Sequence, residues 1–210
     1  MTDNGALVYW KNTSLYLNIT NRCSNDCLFC VRNYRQGVYG FNLQLDKEPT
    51  ENEILETIKQ ELSRDFEELV FTGFGEPLLR LELVCNIAKQ VKQLTNDKLT
   101  LRIDTNGLAD LTYPEINVLE KLQEAKIDKL SISLNTENAE KYLRICQPIY
   151  GLESYESLLT FAEKANRYFE VRFTIVAIPQ VDIDACQKIA DEMAIPLIIR
   201  PYNGPDFIVE

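Results

Sequence analysis

The sequence predicts an α/β fold in which parallel strands alternate with helices in an open sheet. Three observations carry this. Apolar, β-branched runs of strand length recur six times, helical apolar patterns fill the intervals between them, and residues able to carry chemistry follow the strand ends. With 210 residues, 45% hydrophobic and 26% charged, the chain is large enough for one sizeable core and is read as a single domain, 1–210. Six units are too few for a closed eight-stranded barrel, which leaves a partial barrel or a doubly wound sheet.

The strands are expected at 15–20, 68–72, 99–105, 129–134, 171–177 and 197–200. A helix over 51–63 opens on Thr50-Glu-Asn-Glu53, a capping box in which Thr and Glu can satisfy each other's backbone amides. Leu81, Val84, Ala88, Val91 and Leu94 share one face of a helix over 81–94. A second capping box, Thr112-Tyr-Pro-Glu115, is expected to open a helix running to about 125. Helices over 154–168 and 182–193 complete the pattern.

Charge and composition exclude several functions. A net charge of −10 and a pI near 4.7 are the wrong sign for a general phosphate-backbone binder, so no nonspecific nucleic-acid binding is expected. The first eleven residues lack the basic, then apolar, pattern of a signal peptide, and no run is long enough to span a membrane. The expected setting is therefore cytoplasmic, where clustered thiols more often bind metal than form disulfides. Cys85, Cys146 and Cys186 are scattered and read as buried small hydrophobes. The sequence holds no histidine, which excludes Ser-His and Cys-His nucleophile systems and His-ligated zinc.

The strongest local signal is Cys23-Ser-Asn-Asp-Cys27-Leu-Phe-Cys30, directly after the first strand. Three thiols in eight residues can converge on one metal centre and leave a ligand position open, as catalytic rather than closed structural sites do. Thiolate-only ligation favours iron–sulfur or zinc. No second Cys pair of the kind a zinc ribbon uses is present. After the second strand comes Gly73-Phe-Gly-Glu76-Pro77, whose glycines suit either close backbone approach to a ligand or a plain turn. Ser133 and Asn135 fall in phase with Ser131 and face the sheet interior, where hydroxyl and amide can bond a polyol. Ser131 itself reads as a small buried residue. Arg172, early in an apolar strand, must be paired or point outward. Arg200, at the last strand's end, suits an anionic substrate group. The loop over 31–41 is basic, aromatic and glycine-rich in an acidic protein. Arg32, Tyr34 and Arg35 make it a candidate substrate entrance.

These motifs together resemble the radical S-adenosylmethionine (SAM) superfamily over nearly the whole chain. Cys23-x3-Cys27-x-Phe29-Cys30 matches its signature, and Gly73-Phe-Gly-Glu76-Pro77 its Gly-Gly-Glu-Pro motif, with Phe74 as the departure. Asp104-Thr-Asn-Gly107 is similar to its third-strand motif, and Ser131-Ile-Ser-Leu-Asn135 to its fourth. The segments Cys30-Val-Arg-Asn-Tyr34, Val70-Phe-Thr-Gly-Phe-Gly-Glu-Pro77 and Leu143-Arg-Ile-Cys-Gln-Pro148 resemble the small TatD-linked radical SAM proteins in particular.

The resemblance implies an open (β/α)6 partial barrel and a [4Fe-4S] cluster on Cys23, Cys27 and Cys30, with SAM on the fourth iron. Reductive cleavage of SAM would give a 5′-deoxyadenosyl radical that abstracts hydrogen from a substrate, chemistry that needs no histidine. It further implies SAM contacts from Phe29 (adenine), Gly73, Gly75 and Glu76 (ammonium), Ser133 and Asn135 (ribose), Arg172 (carboxylate) and Asn106. Asp104 and Thr105 would contact SAM or a monovalent cation. An electron donor such as flavodoxin or ferredoxin and a small-molecule or protein substrate are expected partners. Without further clustered cysteines, an auxiliary cluster is not expected. Two neighbouring readings are a glycyl-radical activase-like or deazapurine-forming enzyme of the same superfamily, and a noncatalytic iron–sulfur or zinc protein.

Overall fold

A computed structural model describes residues 5–207. The first four residues of the stretch read for a signal peptide lie outside them. In chain order the elements are β1 (Val8–Lys11), β2 (Ser14–Asn18), β3 (Gly37–Val38), β4 (Phe41–Asn42), α1 (Glu51–Glu61), β5 (Glu68–Thr72), α2 (Leu81–Leu94) and β6 (Thr100–Thr105). There follow α3 (Ala109–Thr112), α4 (Val118–Glu124), β7 (Lys129–Ser133), α5 (Ala139–Cys146), α6 (Glu153–Ala165), β8 (Glu170–Ala177), α7 (Ile183–Glu192) and β9 (Leu197–Pro201). The fold is the open, mostly parallel α/β half-barrel expected from the alternation.

The chain divides into two compact units. The first comprises the chain up to Cys23, Arg35–Asp104 and Val118–Lys129; the second comprises Ser24–Tyr34, Thr105–Asn117 and the chain from Leu130.

In the first unit the strands lie in the order β1-β2-β5-β6. The two ladders β2/β5 and β5/β6 are parallel, while β1 joins β2 as an antiparallel hairpin. Leu15, Leu17, Leu69, Phe71, Leu101 and Ile103 are fully buried. They sit at alternate positions, so each strand turns one apolar face inward. Helices α1 and α2 match them with Ile54, Ile58, Val84, Ile87, Ala88 and Val91, all fully buried. The other face carries an ionic cluster beside Tyr16 and the fully buried Val70. Ser14 Oγ donates to Glu68 Oε1 at 2.7 Å, and the Arg102 guanidinium grips Glu68 through Nε at 3.2 Å and Nη2 at 3.1 Å. Arg102 Nη1 also pairs with Asp104.

Two features secure the joints of this unit. The capping box at α1 forms as the sequence predicts, with Thr50 and Glu53 each satisfying the other's backbone amide. Lys92, buried near the end of α2, donates to Leu99 O at 3.0 Å and Asp128 Oδ2 at 2.7 Å, and the same carboxylate oxygen accepts from Leu101 N. A buried ammonium costs free energy unless it is paired and hydrogen-bonded, and both conditions hold here.

In the second unit the order is β7-β8-β9, with β8 and β9 parallel. Leu130, Ile132, Leu134, Phe173 and Ile175 supply its strand core; Leu158, Phe161 and Ala162 of α6 are likewise fully buried. Gly107 has φ +77, a backbone conformation that favours glycine.

The expected strands agree with β2, β5, β6, β7, β8 and β9 to within two residues at each end. The second capping box does not form. Helix α3 already ends at Thr112, a coil covers 113–117, and α4 starts afresh at Val118. Proline disfavours helical backbone in the residue before it, and Tyr113 sits at φ −131, ψ 66. The Thr112 hydroxyl donates back to Leu108 O and meets the Tyr150 hydroxyl instead of capping residue 115. Helix α5, strand β1 and the β3–β4 ribbon are additions that the apolar periodicity does not show. Cys85, Cys146 and Cys186 are buried, as expected. Among the described residues no helix is long and apolar enough to cross a membrane.

Asn18 closes β2 and is fully buried. Its Nδ2 donates to Ala6 O at 3.1 Å and Leu43 O at 2.8 Å, and its Oδ1 accepts from Phe74 N at 3.3 Å. Asn18→Ala strands three backbone groups and is expected to cost about 3 kcal/mol, each lost buried partner contributing about 1 kcal/mol. Chemical denaturation of the metal-free protein measures it.

Candidate cofactor site

In the first unit the approach to Cys23 is fixed by backbone contact with the loop after β5. The Glu76 amide donates to Arg22 O at 2.8 Å. A Cβ on Gly75 would lie 2.3 Å from Arg22 O and 2.5 Å from Thr20 O, and one on Gly73, at φ +121, would lie 2.3 Å from Asn18 Oδ1. No side chain fits at either position, so both glycines serve close approach. Glu76 is buried and its carboxylate accepts from Leu78 N at 3.0 Å, capping the 3₁₀ turn Pro77–Arg80.

Glu48, which the sequence did not single out, organises the same stretch. Its Oε1 accepts from Thr20 Oγ1 and Arg22 Nε, both at 2.6 Å, while Arg80 donates to Ile19 O at 2.8 Å and faces Glu48 Oε2 at 3.6 Å. The Arg22 hydrogen bond holds the Glu48 carboxyl below its ordinary pKa.

In the second unit, residues 24–30 carry Cys27 and Cys30. Cys30 N donates to Cys27 O at 3.0 Å, Asn33 N donates to Cys30 O at 3.0 Å, and Asn33 Nδ2 reaches Cys27 O at 3.1 Å. Phe29 is buried. Arg32 is committed to the loop itself, pairing with Asp26 at 2.8 Å. Burial pushes the Cys30 thiol up, opposed by a hydrogen bond from the Arg32 amide and by the Arg32 charge. Cys27 is raised more, by its hydrogen bond to the Cys146 thiol and then by burial.

The remaining predicted residues fall as follows. Asp104, in the first unit, is ion-paired to Arg102. Thr105 and Asn106, in the second, each accept an amide two residues ahead, from Gly107 at 3.1 Å and Leu108 at 3.1 Å, and Asn106 Nδ2 donates to Ser24 Oγ at 2.8 Å. Ser133 is half-buried at the end of β7, and Asn135 is buried with φ +62. Arg172 Nε donates to Ser131 Oγ at 3.2 Å, so the strand cation is paired within its own unit. Tyr34 meets Tyr202 edge to face at 6.0 Å. Arg35 and Arg200 are exposed, the former in the first unit and the latter on β9.

All six cysteines are free thiols. Among the described residues, no group of three or more His, Cys, Asp or Glu side chains already converges as a metal cage. The donor chemistry nonetheless fits an iron–sulfur cluster: three soft thiols, all half-exposed, with no histidine in the chain. Arg102 and Glu48 escaped the sequence reading. Arg102 left a signal, an Arg two residues before Asp104 in an apolar strand.

An α/β half-barrel with a thiol-rich loop after its first parallel strand and two obligate glycines after the next defines a narrow class of cofactor-binding protein. Residues 17–193 match the model of the radical SAM superfamily, and the chain belongs to that superfamily. It is 32% identical over 133 residues, 63% of the chain and 40% of the relative, to a probable GTP 3′,8-cyclase of Methanococcus aeolicus. It is 29% identical over 175 residues, 82% of the chain and 50% of the relative, to a probable GTP 3′,8-cyclase of Pyrococcus abyssi. The chain therefore spans half or less of these relatives' length. Its fold is also that of Streptococcus suis SuiB bound to its precursor peptide SuiA, with TM-score 0.69 at 16% identity over 93% of this chain and 40% of SuiB.

Gly75→Ala forces the Thr20–Arg22 backbone to move. The variant is expected to bind less iron than wild type after anaerobic reconstitution and to melt at lower temperature. Iron analysis and a thermal melt check this, and wild-type iron content would show that the close approach does not set the cysteine position.

Proposed function

We propose that the chain is a radical SAM enzyme in which Cys23, Cys27 and Cys30 hold a [4Fe-4S] cluster and residues 1–210 work as one core domain. The observation that supports this most is the donor set: three clustered thiols, with no fourth at metal-ligand spacing, in a chain of this superfamily, which leaves one metal position for a second molecule. The bound cluster and SAM would supply reductive cleavage of the sulfonium and a 5′-deoxyadenosyl radical able to abstract hydrogen.

The protein's own part is to bind, orient and shield. Gly73 and Gly75 offer bare backbone, and Glu76 places a buried carboxylate beside them for an ammonium. Ser133 and Asn135 serve ribose hydroxyls, Phe29 the adenine, and Arg172 the carboxylate, with Ser131 holding the guanidinium in place; Asn106 is a further cofactor contact. Asp104 and Thr105 serve SAM or a monovalent cation. Arg32, Tyr34, Arg35 and Arg200 serve the substrate, a small molecule or a protein. Electrons come from a flavodoxin or ferredoxin. Six free thiols suit a reducing, cytoplasmic setting. The cyclase names of the relatives do not extend to this chain's substrate, because half or more of each relative has no counterpart in it.

Anaerobic reconstitution with iron and sulfide, followed by reduction and addition of SAM, is expected to yield 5′-deoxyadenosine. Cys27→Ala is expected to abolish it. A reconstituted cluster that leaves SAM intact with every reductant would identify a noncatalytic iron–sulfur protein, and zinc in place of iron a structural site.

A further inference from the structure

The ionic cluster of the first unit has no part in the function proposed above, apart from one member, Asp104. Arg102 and Asp104 stand two residues apart on β6, so both side chains leave the strand on one face. Directly across from Arg102 on β5 is Val70, and the guanidinium passes it diagonally to reach Glu68. Its fork takes both carboxylate oxygens, with Nε on Oε2 at 3.2 Å and Nη2 on Oε1 at 3.1 Å. Glu68 is fixed in turn from β2, where its register partner Ser14 donates Oγ to Oε1 at 2.7 Å. With two nitrogens so committed, Nη1 donates to Asp104 Oδ1. Side chains from three adjacent strands thus form one run of hydrogen bonds: Ser14, Glu68, Arg102, Asp104. All of them belong to the first unit.

Stability does not explain this cluster. The Arg102 side chain is 5% exposed, that of Asp104 15% and that of Glu68 25%. Taking such charges out of water offsets much of what their attraction returns, and apolar side chains of similar volume commonly serve as well or better. The helix-facing side of the same strands is built in that way, from Leu69, Phe71, Leu101 and Ile103. The charges of the cluster also combine in a particular manner. Two carboxylates share one guanidinium, so Glu68 offsets Arg102, and within the group the negative charge of Asp104 is left uncancelled.

We infer that Arg102 is a positioning residue for Asp104: clamped by Glu68, it fixes that carboxylate for a positively charged group of the cofactor site, while Glu68 keeps the guanidinium from cancelling its charge. This rests on Asp104 serving the cofactor site, as proposed above. The positive group is SAM itself or a monovalent cation beside it, and both present the same chemistry to a carboxylate. Arg102 is buried and acts through Asp104 rather than on the ligand.

The test measures SAM binding, not turnover, by the reconstituted full chain, in potassium buffer and again with choline in place of potassium. Glu68→Gln keeps the shape of the clamp and removes the offsetting charge; Arg102→Lys keeps the charge and loses the fork. Each is expected to raise the Kd for SAM about tenfold, the scale of one charge-assisted hydrogen bond, with iron content unchanged. The same substitutions added to Asp104→Asn are expected to cost nothing further, because the residue they act through is already gone. Should a half-broken clamp fail to fold, the double variant Glu68→Leu/Arg102→Met removes it whole. That variant is expected to melt no lower than wild type and still to bind SAM weakly. A loss seen only in potassium assigns the positive group to the cation and a loss in both buffers assigns it to SAM; either supports the clamp. Wild-type affinity in these variants, or a loss that persists undiminished in the Asp104→Asn background, would reduce the clamp to a part of the sheet. Either result overturns the inference while leaving SAM binding by wild type intact. A wild-type chain that takes up no cluster, or binds no SAM, overturns the function proposed above and the inference together.

Discussion

The constraint on which the first unit turns is the absence of space at position 75. The backbone leaving β5 runs so close to the carbonyls of Thr20 and Arg22 that a single methyl carbon would lie 2.3 Å from an oxygen. Two strand exits are thereby locked together, and Cys23 follows the locked segment by one residue. The Glu76 amide, the Glu48 carboxylate and the Arg80 guanidinium then satisfy the groups that such an irregular stretch leaves without a strand ladder. Unpaired buried backbone groups would otherwise cost about 1–3 kcal/mol each. The geometry of the stretch before Cys23 is in this sense held by polar satisfaction rather than by apolar packing.

The second unit solves the same problem differently. Its cysteine loop borrows the carbonyls of a helix end, which have no partner within the helix. Side chains then complete the attachment: Asn25 on Tyr142, Ser24 under Asn106. Residues that look like general turn formers in the sequence are therefore parts of a specific seam.

What the sequence revealed and concealed follows from the range of each interaction. The strands of the half-barrel were legible because Leu15, Leu69, Leu101, Leu130 and Phe173 sit in local apolar runs that any window detects. The thiols and glycines were legible because their spacing is local too. Helix α5 was not: eight residues capped by Asn138 give little more than two turns of periodicity, and Glu140, Lys141 and Arg144 dilute it. The Thr112 to Glu115 pattern misled because Pro114 constrains the residue before it more strongly than a cap attracts. Arg172 was read between a surface and a ligand role, and its partner Ser131 lies 41 residues away. The pairing of Arg102 with Glu68 likewise depends on chain segments that only the folded structure brings together.

The central claim is that three thiolates leave one iron of a four-iron cluster open to SAM. Mössbauer spectroscopy of the reconstituted, iron-57-labelled protein with and without SAM tests it most directly. The account predicts that one iron site in the cluster changes its isomer shift on addition of SAM, in the direction of added nitrogen and oxygen ligands, while the other three keep their parameters. Four equivalent thiolate-ligated irons that ignore SAM would contradict it.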